Sequence, residues 1–270
     1  MKGKFVLAQV ASAGDPAVNL EKARSVVRRA HEAYHPDLLL FPEMFMSLFP
    51  VGTDRDTILS TSQPLDGPFV AQMRALAGQY GMWIVFGMNE TVKDPGDRRN
   101  YNTIVVLDDR GELVSYYRKT HLYDAFGYRE SDFKKPGDRF FEPIDTPFGR
   151  IGLFTCYEVR FPEVARDQRA KGADILLMPT AWVAGKLKSL HFRTLITARA
   201  LENGVYVLAC DQCNGDSIGE SVAVDPMGVP IVCAGEGEEL IAVCTDTERI
   251  RAVRREVASS DQRRPDLYRI

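Results

Sequence analysis

The sequence predicts an α/β protein, and three observations carry that prediction. Strand-like and helix-like runs alternate along the 270 residues, several strand-like runs are apolar throughout, and one strand–helix–strand pattern occurs twice. With 45% apolar and 26% charged residues the chain has the balance of an ordinary globular protein, and its length fits one large α/β domain.

The elements follow in order. Residues 5–10 read as a strand, and 19–34 as an amphipathic helix with Leu20, Ala23, Val26, Val27 and Ala30 on one face. Residues 38–41 are wholly apolar, as expected of a strand covered on both sides. A helix over 69–80 leads into a strand over 83–87, and 101–107 pairs with 112–117 as a hairpin around Asp108-Asp109-Arg110-Gly111. After the turn-like Pro147-Phe148-Gly149, the run 150–155 forms a strand, followed by a helix over 163–170 and a buried strand over 175–178. Ser189 caps a helix ending at Gly204. A strand over 205–210, a hairpin around Asp225-Pro226-Met227-Gly228, a strand over 240–244 and a helix starting near Thr247 complete the series. This order fits a single doubly wound sheet as well as two stacked ones.

Within it lies an internal echo. Asp37-Leu38-Leu39-Leu40-Phe41-Pro42-Glu43 parallels Asp174-Ile175-Leu176-Leu177-Met178-Pro179-Thr180, and each segment follows a strand and a helix. The echo puts Glu43 and Thr180 at matching strand exits, with Cys156 at the exit of the strand that opens the second unit. Strand exits are where α/β sheets gather functional groups.

Composition narrows the function. A net charge of −3 offers no basic face for nucleic acid. No apolar stretch approaches the roughly 18 residues of a membrane helix. The N-terminus runs straight into a strand, which argues against a cleavable signal, and five cysteines without a secreted framework favour free thiols in a reducing cytoplasm. The four histidines (His31, His35, His121, His191) show no metal spacing. Cys210-Asp211-Gln212-Cys213 has no second pair and reads as incidental thiols; Cys233 and Cys244, in strand-like runs, read as core residues.

Three residues could carry chemistry together. Cys156 sits at the mouth of a strand rather than inside it, where a nucleophile belongs. Glu43 follows four apolar residues and a proline; beside apolar walls its carboxylate would be tuned upward, as a general base needs. Lys119 ends the strand before Thr120-His121-Leu122, where its ammonium could lower the thiol and stabilise an oxyanion. Taken singly, Glu43 reads as a solvated or capping glutamate and Lys119 as a surface lysine. The combination, each residue directly after a separate strand, lifts all three.

Phe41-Pro42-Glu43, Tyr117-Arg118-Lys119-Thr120-His121-Leu122 and Cys156-Tyr157-Glu158-Val159-Arg160-Phe161-Pro162-Glu163 resemble the three signature blocks of the nitrilase superfamily of carbon–nitrogen hydrolases, in the same order. Arg199-Ala200-Leu201-Glu202-Asn203 and Asp225-Pro226-Met227-Gly228 are similar to further family segments. The resemblance implies a four-layer α-β-β-α sandwich over residues 1–257, with 258–270 a tail placed to pack at an oligomer interface. It implies Glu43 as general base, Cys156 as nucleophile, Lys119 as oxyanion stabiliser and the Tyr157 N–H as second oxyanion donor. The family's usual second glutamate is matched by Glu130, although the segment between Lys119 and Glu130 looks short. Tyr157, where true nitrilases carry Trp, points to the amidase-type branches, with N-carbamoyl hydrolases and nitrilases as alternatives and a catalytically silent binder as the non-enzyme alternative. Ala181, Trp182 and Tyr123, with Phe126, are candidates to line the substrate pocket by position. The implied reaction needs no metal or organic cofactor. The implied partners are a small amide substrate and further copies of the chain as a homodimer or larger homo-oligomer.

Overall fold

Alternation along the first strand decides the layering. In β1 (Lys2–Gln9), Phe5 and Leu7 point to one face and Val6 and Ala8 to the other, and all four are buried. A strand buried on both faces needs cover on both, and the computed structural model, which describes residues 1–268, supplies it. β1 pairs in parallel with β2 (Leu38–Leu40), and β2 with β3 (Trp83–Thr91). β4 (Asn100–Leu107), β5 (Leu113–Arg118) and β14 (Glu239–Asp246) complete a six-stranded sheet in the order β14-β1-β2-β3-β4-β5. The second six-stranded sheet has the order β13-β12-β11-β10-β9-β8. It contains β8 (Ile144–Thr146), β9 (Gly149–Leu153), β10 (Ile175–Thr180), β11 (Tyr206–Asp211), β12 (Val222–Val224) and β13 (Pro230–Cys233).

The sheets stack face to face. Phe5, Leu40 and Val85 of the first meet Leu153, Leu177 and Leu208 of the second in one core. The outer face of the first sheet is covered by α1 (Pro16–Tyr34) and α3 (Pro68–Tyr80), through residues such as Ala23, Val27 and Met73. The outer face of the second is covered by α4 (Pro162–Ala170) and α5 (Lys188–Asn203), through Val164, Phe192 and Ile196. The result is the four-layer α-β-β-α sandwich, and the single doubly wound sheet is set aside. The echoed units are β1-α1-β2 and β9-α4-β10, one in each sheet, both with parallel strands.

Smaller elements complete the chain: α2 (Arg55–Ser60), the two-residue strands β6 (Asp124–Ala125) and β7 (Tyr128–Arg129), and α6 (Thr247–Glu256). The last two residues of the expected tail, 269–270, lie outside the described residues. Among the described residues no helix is long and apolar enough to cross a membrane. One expectation is corrected: Cys233 and Cys244 are exposed, each lying on a strand at the edge of its sheet, β13 and β14. Cys210, by contrast, is buried, its thiol donating to the Leu40 carbonyl at 3.2 Å.

Candidate active site

The exits of β2, β5, β9 and β10 converge on one cavity of about 480 Å³, whose wall includes Glu43, Lys119, Glu130, Cys156, Ala181 and Trp182. Glu43 reaches it because the chain after β2 lies hard against β3. The Gly87 N–H donates to Pro42 O at 3.2 Å, and its carbonyl accepts from Met46 N–H at 2.9 Å. Only glycine allows this approach: a Cβ on residue 87 would sit 2.3 Å from Met44 N and 2.8 Å from Glu43 Cα. From the second sheet, Gln212 Nε2 donates to the Glu43 carbonyl at 2.9 Å and fixes the backbone from the other side.

The Glu43 carboxylate is 1% exposed, yet its surroundings are not the apolar walls expected. Oε1 accepts from Asn102 Nδ2 at 2.6 Å and from Lys119 Nζ at 3.0 Å, and Oε2 accepts from the Ala181 N–H at 2.8 Å. Lys119 donates equally to Glu130 Oε2 at 2.8 Å. Glu130, opening a 3-10 turn, also accepts from the Tyr123 N–H (2.7 Å) and from Asn102 Nδ2 (3.1 Å). One ammonium thus bridges two buried carboxylates, and a single amide on β4 touches both. Buried charges are tolerated only with this degree of pairing.

The electrostatics follow from the pairing. Burial alone would lower the Lys119 ammonium, but the carboxylates of Glu130 and Glu43 outweigh it and hold its pKa well above the usual lysine value. Burial alone would raise Glu130, but the charge of Lys119 and its hydrogen bonds hold that carboxyl below the ordinary range. The Cys156 thiol is pushed up, first by burial and then by the nearby Glu43 carboxylate, against a smaller opposing pull from Lys119. At neutral pH the site therefore holds a thiol rather than a thiolate.

Cys156 opens a 3-10 turn, Cys156–Arg160, with a positive φ of 48°, an uncommon conformation for a side-chain-bearing residue. The first bond of the turn runs from Glu158 N–H to Thr155 O (3.0 Å), so the N–H groups of Cys156 and Tyr157 precede the ladder. That leaves the Tyr157 N–H free of helix bonding beside the sulfur, where a second oxyanion donor was expected.

Motif matching gave Glu158 no role, yet it locks this turn. Its Oε2 accepts from Thr155 N–H at 2.8 Å, closing a capping box. Its Oε1 accepts from Tyr117 Oη (2.6 Å), Thr120 Oγ1 (2.7 Å), Thr120 N–H (2.8 Å) and His121 N–H (3.2 Å). Burial would raise this carboxyl, but contacts with His121, Tyr117 and Thr120 lower it. Glu158 therefore couples the Cys156 turn to the segment carrying Lys119. The His121 ring stacks between Phe161 and Phe140, with centroid distances of 4.1 and 5.9 Å. The Thr155-x-x-Glu158 spacing is the signal that could have found this residue. Asn102 left only the weaker signal of an amide in the polar half of a strand whose other half, Ile104–Leu107, is apolar.

The pocket candidates also meet here. Trp182 lines the cavity while its Nε1–H is tied to the Lys188 carbonyl at 3.0 Å and its N–H to Asp211 Oδ1 at 2.7 Å. Burial holds the Asp211 carboxyl well above its usual range. Ala181 lines the cavity, but its N–H is engaged by Glu43. Tyr123 and Phe126 border the mouth, with Phe126 65% exposed and its ring centroid 3.6 Å from Lys188 Nζ. Among the described residues, no group of three or more His, Cys, Asp or Glu side chains is placed to hold a metal ion.

Comparison with known proteins agrees with the motif blocks. The carbon-nitrogen hydrolase family model matches residues 6–255. A deaminated glutathione amidase of Escherichia coli O157:H7 is 37% identical over 78% of this chain and 79% of its own length. Omega-amidase NIT3 of Saccharomyces cerevisiae is 34% identical over 99% of this chain and 95% of its own. A crystal structure of Nit3 from that yeast, described as a member of branch 10 of the nitrilase superfamily, superposes with a TM-score of 0.86 at 32% identity, covering 97% of each chain. A mutant of an amidase from Nesterenkonia sp. AN1 shows covalent addition of the acetamide moiety of fluoroacetamide at its active-site cysteine; it superposes with a TM-score of 0.79 at 25% identity, over 98% of this chain and 95% of that one. By sequence and fold, the chain belongs to the carbon-nitrogen hydrolase family of the nitrilase superfamily.

Proposed function

We propose that this protein is an amidase that hydrolyses a small carboxamide to a carboxylic acid and ammonia through a thioester on Cys156. The observation that carries the proposal is the Lys119 ammonium held between Glu43 and Glu130 in the cavity that also contains the Cys156 sulfur. The relatives named omega-amidase and deaminated glutathione amidase, and the acetamide-modified cysteine of the Nesterenkonia enzyme, support the same chemistry.

Because the resting thiol is protonated, attack requires a base. Glu43 takes the Sγ proton as sulfur attacks the amide carbonyl carbon, and the tetrahedral oxyanion forms beside the Lys119 ammonium and the Tyr157 N–H. Lys119 remains charged because two carboxylates hold its proton, so it serves as a fixed electrostatic partner; Glu130 keeps it aimed. Glu43 returns the proton to the leaving nitrogen, ammonia departs, and the acyl group stays on sulfur. A water deprotonated by Glu43 then attacks the thioester, releasing the acid and restoring the thiol. Covalent catalysis divides one difficult displacement into two easier ones.

Ammonia release from a panel of short amides, with Cys156→Ala as control, tests the proposal, together with mass detection of an acyl group on Cys156. Turnover surviving in Cys156→Ala would refute the mechanism, and carbon dioxide released with the ammonia would move the substrate to the carbamoyl class. We further propose a homodimer or larger assembly built on the α5 face. Leu190 and Leu201 of α5 and the neighbouring Val229 are exposed there, with the turn at Gly228 lying against Leu201 and Thr197. Light scattering checks the assembly. A reducing cytoplasm suits the five free thiols.

A further inference from the structure

β10 ends at Thr180, and the next two backbone N–H groups each go to a buried carboxyl. Thr180 pairs in register with Asp211, the last residue of β11. Beyond that pair the Ala181 N–H donates to Glu43 Oε2 at 2.8 Å and the Trp182 N–H to Asp211 Oδ1 at 2.7 Å. One carboxyl follows a strand of the first sheet and the other belongs to the second. The Ala181 N–H also faces the Cys156 thiol, so it lies between base and nucleophile. Its direction is set one peptide further along, by the hold of Asp211 on Trp182.

Asp211 is itself fixed. It is fully buried, and its N–H donates to Ser221 Oγ at 2.8 Å. Ser221 in turn is tied to the first sheet, its N–H donating to Gln9 Oε1 at 2.8 Å. The carboxyl differs from the other buried ones around the site. Glu43 and Glu130 each accept three hydrogen bonds, one of them from Lys119, and Glu158 accepts five. Asp211 Oδ1 accepts one. Among the described residues Oδ2 has no hydrogen-bond partner, and no Lys, Arg or His nitrogen lies within 4.0 Å of the carboxyl. The N–H groups of Gln212 and Gly219 also face it, but they are given to Thr180 O and Gln212 O, both at 3.1 Å. The titratable groups around it are Glu43 across the sheets and the thiols of Cys210 and Cys213, none of them a cation. A carboxylate so buried and so poorly paired would be costly, and a carboxylic acid costs far less. Burial accordingly holds this group well above its usual range.

We propose that Asp211 is a positioning residue of the amidase reaction that works in its uncharged form, holding the Trp182 N–H so that the neighbouring Ala181 N–H meets the base Glu43. With an acid at this place, the negative charge at the β10 exit belongs to Glu43 alone. The inference rests on the amidase assignment for the role of Glu43, and its tests separate the two.

Asp211→Asn keeps an oxygen for the Trp182 N–H and puts an N–H where the acid has O–H, whereas Asp211→Leu removes the acceptor in a similar shape. On a short amide, kcat should fall roughly 10²-fold in Asp211→Leu with KM moving less, and Asp211→Asn should recover most of the loss. An Asn variant as impaired as the Leu variant would mean that the charge is needed, and an unimpaired Leu variant that the Trp182 contact is not; either overturns the proposal. If the wild type turns over no amide, the amidase assignment fails by itself. Alkylation of Cys156 by iodoacetamide, followed by the mass of the peptide that carries it, then decides the inference. An S–C bond forms, iodide leaves and Glu43 takes the thiol proton, so the rates should follow the same order. Equal rates in all three proteins overturn it.

Should Asp211→Leu not fold, the wild type and Asp211→Asn suffice. Their infrared difference spectrum at neutral pH should contain the C=O band of a carboxylic acid, shifted in D₂O; carboxylate bands in its place overturn the proposal. A carboxyl raised by folding stabilises fully below its unfolded value of about 3.9, and that contribution fades as pH climbs towards the folded value. Relative to Asp211→Asn, the wild-type unfolding constant should therefore rise by up to about tenfold per pH unit from about pH 5 upward. A stability difference that does not change with pH, read from unfolding midpoints, overturns it as well.

Discussion

Replacing Glu158 by Gln tests whether the nucleophile turn and the lysine segment are held in register by one carboxylate. The wild-type side chain accepts five hydrogen bonds, four on Oε1 and one on Oε2, and is fully buried. An amide can keep its oxygen at the crowded position, but its NH₂ then faces the Thr155 N–H, donor against donor. An orphaned buried donor costs about 1–3 kcal/mol, and the remaining bonds lose their ionic strengthening, so a total near 3 kcal/mol is expected. At roughly 2–4 °C per kcal/mol for a chain of this size, Tm should fall by about 6–12 °C. Because Cys156 and Lys119 lose their common anchor, kcat should fall by roughly 10²-fold, with KM affected less. The pH dependence supplies a second readout. The folded carboxyl is held below its unfolded pKa, so its stabilisation is full above about 4.3 and disappears as pH falls through the lower folded value. Glu158→Gln should lack this part of the acid limb. Thermal unfolding and single-substrate kinetics on the variant check all three. A Tm within about 2 °C of wild type together with normal kcat would refute the coupling.

Two further outcomes are expected. Gly87→Ala should destabilise the protein by about 1–3 kcal/mol and reduce activity at least tenfold, since the added Cβ meets Met44 N and Glu43 Cα rather than a movable side chain; unfolding midpoints and ammonia assays check it. A Cys156 thiol that stays protonated predicts that the ultraviolet difference spectrum between wild type and Cys156→Ala shows no thiolate step near the ordinary value of about 8.5, and a step there would contradict it.

The alternation of apolar strands with helices gave the layers their order, but only the motif resemblance distinguished two stacked sheets from one. Helix ends were legible where chemistry marks them: Gly204 closes α5 in the left-handed conformation, as expected. The start of α1 was read three residues late, because Asp15 and Pro16 cap it ahead of its apolar face. β3 was cut at Gly87, since Asn89 and Glu90 look like a loop; both are buried in the strand, where Lys134 and Arg118 satisfy them. α2 buries no side chain and β6 and β7 are two residues each, so periodicity had nothing to detect. Glu43, Lys119, Glu130 and Cys156 were all singled out in the sequence and meet in one cavity. Asn102, Gln212 and Lys134 were not, because each acts through partners distant in the chain that only folding brings together.

Carboxylate and ammonium come from one leaf of the sandwich and sulfur from the other, so the reacting atoms straddle a seam. The spacing across that seam is set by the jigsaw of Phe5, Leu40, Leu153 and Leu177 between the leaves. A methylene added or removed there is transmitted as a change in sulfur-to-base separation, even though none of these side chains meets a substrate. The rim is free of that constraint: Phe126, 65% exposed, can be exchanged without moving the gap.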